Sequence, residues 1–488
     1  MNSVSLNAMD IRMPDSYDEV RYPSLPLKQS HPAFIAALST IAGLELPPVE
    51  RWRVLEIACG NGSNIIPLAF DYPEGHFVGV DRALNPIRAG RALADKLKLS
   101  NIELLNADLL QWQPEGEFDY VIAHGIFSWV PAEGREKILE ICGRALKPSG
   151  VAFISYNALP GCHFRRFAWD FLRFHVRRIP DPAARMKGAR DLAGMIVNAP
   201  AGEDPLPLAI RKEMTTILNK DETVLYHDDL SEINEPFYLM DFVSQAGSHG
   251  LQYLGDADPQ RDNVQDLPLR AEDWIESRQY GDFLARRRFR ETLLCRSEIV
   301  LDRKLSLDRF RNLFAESRVS PGEVQKDGQQ QFNIPKSGNL TTNHPLAKNL
   351  LCRLASLWPG SMRLSEFPLD DYPEDAVAGL FMQLVQAGAL DVRSHPPKIP
   401  AEIGDRPKAS ALAQAQIGEG YSTVTNQRHS NIAITDDTSR RILTLLDGTR
   451  NRQELAGELT AGGMDPQTIH SAIEGALASL HHVSLLIG

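Results

Sequence analysis

At 488 residues the chain exceeds the size at which one hydrophobic core keeps growing, so two or three domains are expected. Its 43% hydrophobic and 24% charged residues are those of a globular protein, and no run approaches the ~20 apolar residues of a membrane-spanning helix. A formal charge of -11 opposes nonspecific attraction to nucleic acid or acidic membrane and better tolerates a basic partner.

The opening stretch, MNSVSLNAMDIRMPDSYDEV, has no basic start followed by an apolar core, so no secretory signal is read and a cytoplasmic location is expected. Residues 17–32 are rich in aromatics and proline, and Ser30 and Pro32 open an expected helix whose Phe34, Ile35, Leu38 and Ile41 recur at helical spacing. Short apolar strands at 53–58, 76–80, 101–105, 118–123 and 150–155 then alternate with helical patterns, among them 83–97 and 134–146. That alternation predicts a doubly wound parallel sheet, an α/β architecture.

A mostly helical insertion is expected over about 164–249, then two strand-like runs, LQYLGDA at 251–257 and ETLLCRSEIV at 291–300, which read as antiparallel edge strands. The sheet domain is expected to span 1–305. Residues 319–343, rich in Gln, Gly, Asn and Ser, read as a linker. Two α+β units of winged-helix type are expected, at 306–398 and 417–488, separated by the Pro- and Ala-rich 396–416. The first carries helices at 344–358 and 374–387; the second carries helices near 438–446, 451–460 and 466–482 and ends in VSLLI. Neither 374–387 nor 466–482 contains Lys or Arg, and a recognition helix needs those residues for phosphate and guanine. No nucleic-acid partner is therefore expected.

The segment RVLEIACGNGSNIIPLA places a strand, Glu56, a turn containing Ala58, Gly60 and Gly62, and an apolar helix in succession. Glycines there let backbone approach a ligand, although many strand-to-helix turns contain Gly for steric reasons alone. HFVGVD ends in Asp81, 19 residues after Gly62, where an acid accepts ribose hydroxyls. NIELLNAD ends in Ala107 and Asp108, the latter placed to accept from an adenine amino group. Ile65 stands where a dinucleotide fingerprint requires its third glycine. These features favour S-adenosylmethionine (AdoMet) over NAD.

At these residues the chain resembles class I AdoMet-dependent methyltransferases, with their Rossmann-like seven-stranded domain, over roughly 1–300. The resemblance implies that Glu56, Ala58, Gly60 and Gly62 form the E-x-G-x-G-x-G loop at the methionine end of AdoMet, with Ala58 in place of the first glycine. It also implies Asp81 at the ribose and Ala107 with Asp108 at the adenine. YDEVRYPSLPLKQSHP, FDYVIAHGIFSWVP, SYNALPGCH and YHDDLSEINEPFYLMDF are similar to blocks of bacterial methyltransferases carrying a methyltransferase regulatory domain, a group that includes lysine methyltransferases of outer-membrane proteins. That similarity implies a protein substrate presenting a lysine; a small-molecule acceptor and a non-catalytic winged-helix regulator are the competing readings.

Methyl transfer needs an aligned neutral nucleophile and exclusion of water. Candidates lie beyond the carboxyl ends of the strands: His124 and Trp129 after the fourth, Tyr156 and Asn157 after the fifth. Each has a purely structural alternative, a turn cap for His124 and a core ring for Trp129. Tyr17, Tyr22, Gln29 and His31 form either a lid over the cofactor or a docked arm. The Arg286, Arg287, Arg288 and Arg290 run reads as a solvated helix face. The five cysteines form no C-x-x-C pair and the thirteen histidines no H-E-x-x-H, so neither a disulfide framework nor a metal site is expected.

Overall fold

The computed structural model describes residues 16–23, 25–44, 46, 51–200, 205–262, 273–369 and 372–487. Residues 1–15, most of the stretch read for a secretory signal, lie outside these. Five parallel strands, β1 (Arg53–Ile57), β2 (His76–Asp81), β3 (Ile102–Asn106), β4 (Phe118–Ala123) and β5 (Leu146–Asn157), are joined by β6 (Leu251–Asp256) and β7 (Phe289–Arg296) in the order β3-β2-β1-β4-β5-β7-β6. β4 is buried at all six positions, as a central strand covered on both faces must be.

The two late strands differ from expectation. Only β7 runs against the sheet, and it is interior, paired antiparallel with β5 on one side and with β6 on the other. β6 takes the edge. The apolar runs predict both strands, but nothing local in them encodes which one is inserted.

Helices α1 (Ser16–Glu19), α2 (Pro32–Ile41), α3 (Ile65–Asp71), α4 (Leu84–Lys96) and α5 (Ala132–Ala145) precede or interleave with the strands. α2 begins one residue later than its expected cap: His31, not Ser30, caps it, its Nδ1 accepting from the Ala33 N–H at 3.0 Å. One sheet face buries Phe34, Ile35 and Leu38 of α2 with Ile65, Ile66 and Leu68 of α3; the other buries Ile138, Leu139 and Ile141 of α5.

Within 164–249, helices α6 (Cys162–Val176), α7 (Pro182–Asn198) and α8 (Pro205–Leu218) form a separate cluster around Leu172, Val176, Leu192 and Met214. α9 (Glu222–Val224) runs into a π turn at Leu225–Asp229. α10 (Leu239–Gly247) belongs instead to the sheet, burying Phe242 and Ala246 beside α5. α11 (Trp274–Ala285) leads to β7. Of the arginine run expected to be a solvated helix face, Arg286 and Arg288 are exposed, but Arg287 and Arg290 are not: Arg290, within β7, pairs with Asp256 and, at 2.8 Å, with Asp282, and Arg287 pairs with the same two acids at 3.0 Å, all four residues being buried.

The expected linker at 319–343 is a three-stranded antiparallel meander, β9 (Ser320–Val324), β10 (Gln330–Ile334) and β11 (Gly338–Thr342). Phe332 and Ile334 anchor it in the core and Leu340 packs against that core, half-buried, so its polar composition conceals strands that face solvent on one side. A second small sheet joins β8 (Phe314–Glu316) to β12 (Met362–Arg363) and β13 (Asp391–Arg393). The helices Pro345–Leu357 and Glu374–Gln386 pack on these strands in one apolar cluster that also takes in Ala37 and Ile41 of α2.

In the last unit, Ala411–Gly418 is a helix rather than part of a separator, and its Ala413 and Ile417 share a core with Ile442, Leu455 and Leu477. The VSLLI segment contributes a single bridge, Leu486 to Ala409, instead of a strand, and a hairpin of Thr423–Thr425 with Asn431–Ala433 forms the wing. No helix among the described residues is long and apolar enough to cross a membrane.

Candidate cofactor and acceptor site

After β1 the chain turns through Ala58, Gly60 and Gly62 at φ of 57°, 55° and 72°. Left-handed backbone costs a glycine nothing and an alanine about 1–2 kcal/mol, so Ala58 holds the turn under mild strain. Asp81 fastens it from the next strand: Oδ2 accepts from the Gly60 N–H and Oδ1 from the Ala83 N–H, each at 2.8 Å. The Ala107 N–H donates to the Asp81 carbonyl at 3.0 Å, and Asp108 Oδ1 accepts from the Leu110 N–H at 3.0 Å. Glu56, Ala58, Gly60, Gly62, Asp81, Ala107 and Asp108 thus line the adjoining carboxyl ends of β1, β2 and β3.

Glu56 is 4% exposed, and burial pushes its carboxyl up to about 8. Oε1 accepts from Asn64 Nδ2 at 2.8 Å, while the buried Oε2 has no partner among the described residues. An orphaned carboxyl oxygen beneath a glycine turn suits a cationic group bearing N–H donors. The amino end of AdoMet has that chemistry.

At the end of β4, His124 Nδ1 and the Gly125 N–H both meet Ser155 Oγ at 2.9 Å, and desolvation lowers His124 to about 4, so its ring is neutral. A Cβ placed on Gly125 would meet nothing within 4 Å, so this corner opens onto space. Trp129 sits in the following 3-10 turn with its indole N–H buried and unpartnered among the described residues. Asn157 at the end of β5 donates through Nδ2 to Asn234 Oδ1 at 2.7 Å, and Asn234 Nδ2 donates to the Asp228 carbonyl at 2.7 Å.

The N-terminal arm crosses these strand ends. Asp18 accepts from the Asn85 N–H at 2.8 Å, Tyr17 stacks on His227 at 4.1 Å, and His227 Nε2 donates to the Val20 carbonyl at 2.7 Å. Tyr22 reaches Asp228 Oδ1 at 3.4 Å, and the Leu27 N–H donates to Asn64 Oδ1 at 2.9 Å. Burial raises the Asp228 carboxyl to about 6.

Two candidates are not brought to this place. Strand alternation turns Tyr156 to the opposite face, where it is fully buried, stacks on Phe242 at 4.2 Å and bonds Thr292 at 3.2 Å. His31 lies behind the glycine turn among Trp52, Tyr72, His395 and His429, and burial pushes it well below the ordinary histidine range. Gln29 is half-buried in the Lys28–Ser30 turn between Leu27 and His31. Sequence reasoning passed over Asn64, His227, Asp228 and Asn234. The last three lie in the YHDDLSEINEPFYLMDF block, whose acids, amide and aromatics were the available signal.

Three family models match the chain: a methyltransferase domain over residues 54–150, a predicted methyltransferase regulatory domain over 221–296, and the PKMT C-terminal winged helix domain over 405–475. Among solved structures, PKMT2 from Rickettsia typhi in complex with AdoHcy aligns over 96% of this chain and 100% of its own, with a TM-score of 0.84 at 26% identity. The chain belongs to the class I AdoMet-dependent methyltransferases. This methyltransferase also matches two uncharacterized proteins of Rickettsia prowazekii. One is 29% identical, over 94% of this chain and 88% of the relative. The other is 32% identical, over 47% of this chain and 93% of the relative. The cofactor of this methyltransferase is AdoMet.

Proposed function

We propose that the enzyme is a protein-lysine N-methyltransferase. The observation that carries this reading is the cluster at the mouth of the site, where Asp228 lies beneath Tyr22 and joins Asn157 through Asn234. A lysine arrives as an ammonium and must lose a proton before its lone pair can attack. A half-buried acid with a raised pKa is suited to taking that proton, and aromatic rings flanking it suit a cation. The overall charge of -11 favours a basic substrate, and the likeness to PKMT2 over 96% of this chain supports the same class.

AdoMet, when bound, supplies a methyl group on a sulfonium. Toward it, Glu56 offers the Oε2 lone pairs to the amino group, Asp81 a carboxylate to the ribose, and Asp108 with Ala107 polar atoms to the adenine. Tyr17 and Tyr22 close over the strand ends and exclude water, and Asp228 accepts the proton released from the lysine nitrogen. Neutral His124, with Trp129 and Asn157, shapes the corner into which the acceptor nitrogen is aligned. Cytoplasmic substrates fit this reading.

Incubation with AdoMet and a panel of lysine-bearing proteins, followed by peptide mass spectrometry, tests it. Lysines gaining one to three methylene masses are expected, with the gain lost in Asp228→Asn. Labelling confined to small molecules, with every protein lysine unchanged, would overturn it.

A further inference from the structure

Asn64 is where three distant parts of the chain meet. Its Nδ2 donates to Glu56 Oε1 at 2.8 Å, while its Oδ1 receives the Leu27 N–H at 2.9 Å, Ser30 Oγ at 3.1 Å and His429 Nε2 at 2.8 Å. A backbone N–H can only donate, so the Leu27 contact fixes which end of the amide is oxygen. His429 must then donate through Nε2, and its buried Nδ1, which has no partner among the described residues, carries the lone pair. Burial, reinforced by Arg393, lowers this histidine to about 3 and keeps it neutral.

His429 lies 365 residues from Asn64, in the loop joining the two strands of the C-terminal wing. That loop is held firmly. Asn426 Oδ1 accepts from the N–H groups of Arg428 and Ser430 at 3.0 and 2.9 Å, and its Nδ2 donates to the Val483 carbonyl at 2.8 Å. Arg428 lies over the Trp358 ring, pairs with Glu316 and donates to Ser484 Oγ at 3.0 Å. The buried wing tip therefore presents one N–H donor, in a fixed place, to the residue that orients Glu56.

We propose that His429 of the C-terminal winged-helix unit is a positioning residue of the cofactor pocket, holding the Asn64 amide, and through it the Glu56 carboxyl group, in the pose that receives the amino group of AdoMet. The inference rests on the reading of Glu56 as a cofactor ligand. The methyltransferase domain accordingly binds its cofactor fully only with the wing in place, and the winged helix completes the pocket from behind.

Calorimetric titration of the full chain with AdoHcy, paired with melting curves, tests this. His429→Ala should weaken AdoHcy about tenfold, with the kinetic loss falling more on the KM for AdoMet than on kcat. His429→Gln, which keeps an N–H donor, should recover most of the affinity. His429→Asn is too short to reach and suits the left-handed backbone of this position, φ 58°, so it carries the test where alanine does not fold. Gln427→Ala removes the neighbouring 3.5 Å wing contact to Asp71 and should leave affinity unchanged. Wild-type affinity in folded His429→Ala or His429→Asn, or an equal loss in Gln427→Ala, would overturn the proposal. Glu56→Gln separates the two levels: if it binds AdoHcy as wild type does, the reading of Glu56 fails; if it weakens binding while the His429 truncations do not, only the role of His429 fails.

Discussion

Gly60 donates its backbone N–H to Asp81 Oδ2 at 2.8 Å, so the acid after the second strand braces the turn after the first. Removing this acid therefore disturbs the turn as well as any ribose contact. Asp81→Asn keeps one acceptor oxygen but loses the charge and turns an amide NH2 toward either the Gly60 or the Ala83 N–H, and a hydrogen bond to a charged group is worth about 1.5–3 kcal/mol. AdoHcy affinity should fall roughly 10- to 100-fold, with the melting temperature lowered as the brace on the turn weakens; titration calorimetry with undiminished affinity would count against the ribose assignment.

Ala58 occupies left-handed backbone at φ 57°. Ala58→Gly should stabilise the protein by up to about 1 kcal/mol, the relief of strain being partly offset by the unfolded-state entropy of glycine. Urea denaturation measures it, and a destabilised variant would show that the Ala58 methyl makes a contact worth more than the strain.

Asp228, raised to about 6 by burial, can accept a proton only when ionised. The rate with a lysine substrate should therefore drop as pH falls through about 6, a limb absent from Asp228→Asn, whose kcat should be lower by about 10²- to 10⁴-fold. An unchanged limb in that variant would assign the proton acceptor elsewhere.

Tyr156 is a core residue whose hydroxyl meets Thr292 at 3.2 Å. Tyr156→Phe should cost about 1 kcal/mol of stability and leave kcat and KM at wild-type values. Arg290→Ala, by contrast, leaves Asp256 and Asp282 sharing Arg287 alone, with one buried negative charge uncompensated, and should cost about 3–5 kcal/mol. Denaturation curves of the two variants compare them directly.

Burial holds His124 at about 4 and both His395 and His429 at about 3. Each binds fewer protons folded than unfolded between that value and about 6.5, so stability falls as pH drops through this window, by up to about 1.4 kcal/mol per pH unit per histidine. Glu56, raised to about 8, acts with the opposite slope: it binds more protons folded, so its contribution declines as pH rises from the ordinary carboxylate range to about 8. Melting temperatures should drop steeply below pH 6, and Glu56→Gln should flatten the decline on the alkaline side.

The gathering of the candidate cofactor residues at adjoining strand ends was legible because they follow one another along the chain: Glu56, the turn and Asp81 lie on successive strands, and spacing alone relates them. What was hidden depends on partners that spacing does not reveal. The arginines at 287 and 290 read as solvated until Asp256 and Asp282 stand beside them. Tyr156 and Asn157 are neighbours, yet alternation sends one into the core and the other toward Asn234. His429 gives no local sign of its bond to Asn64, and the meander at 320–342 carries too few apolar residues to announce strands.

The neck of the helical insertion has a further consequence. The chain leaves β5 and returns toward α10 at one point, with the Phe237 N–H donating to the Asn157 carbonyl and the Leu159 N–H to the Phe237 carbonyl, both at 2.9 Å. The Ala158 and Gly161 N–H groups bond the carbonyls of Arg288 and Arg287, also at 2.9 Å. Entry and exit are thus stitched together and moored to the residues that lead into β7. A layer with so closed a root is portable: relatives can exchange or reshape it without altering the register of the sheet beneath, and chimeras joined at these two points offer a route to new substrate preferences on an unchanged cofactor site.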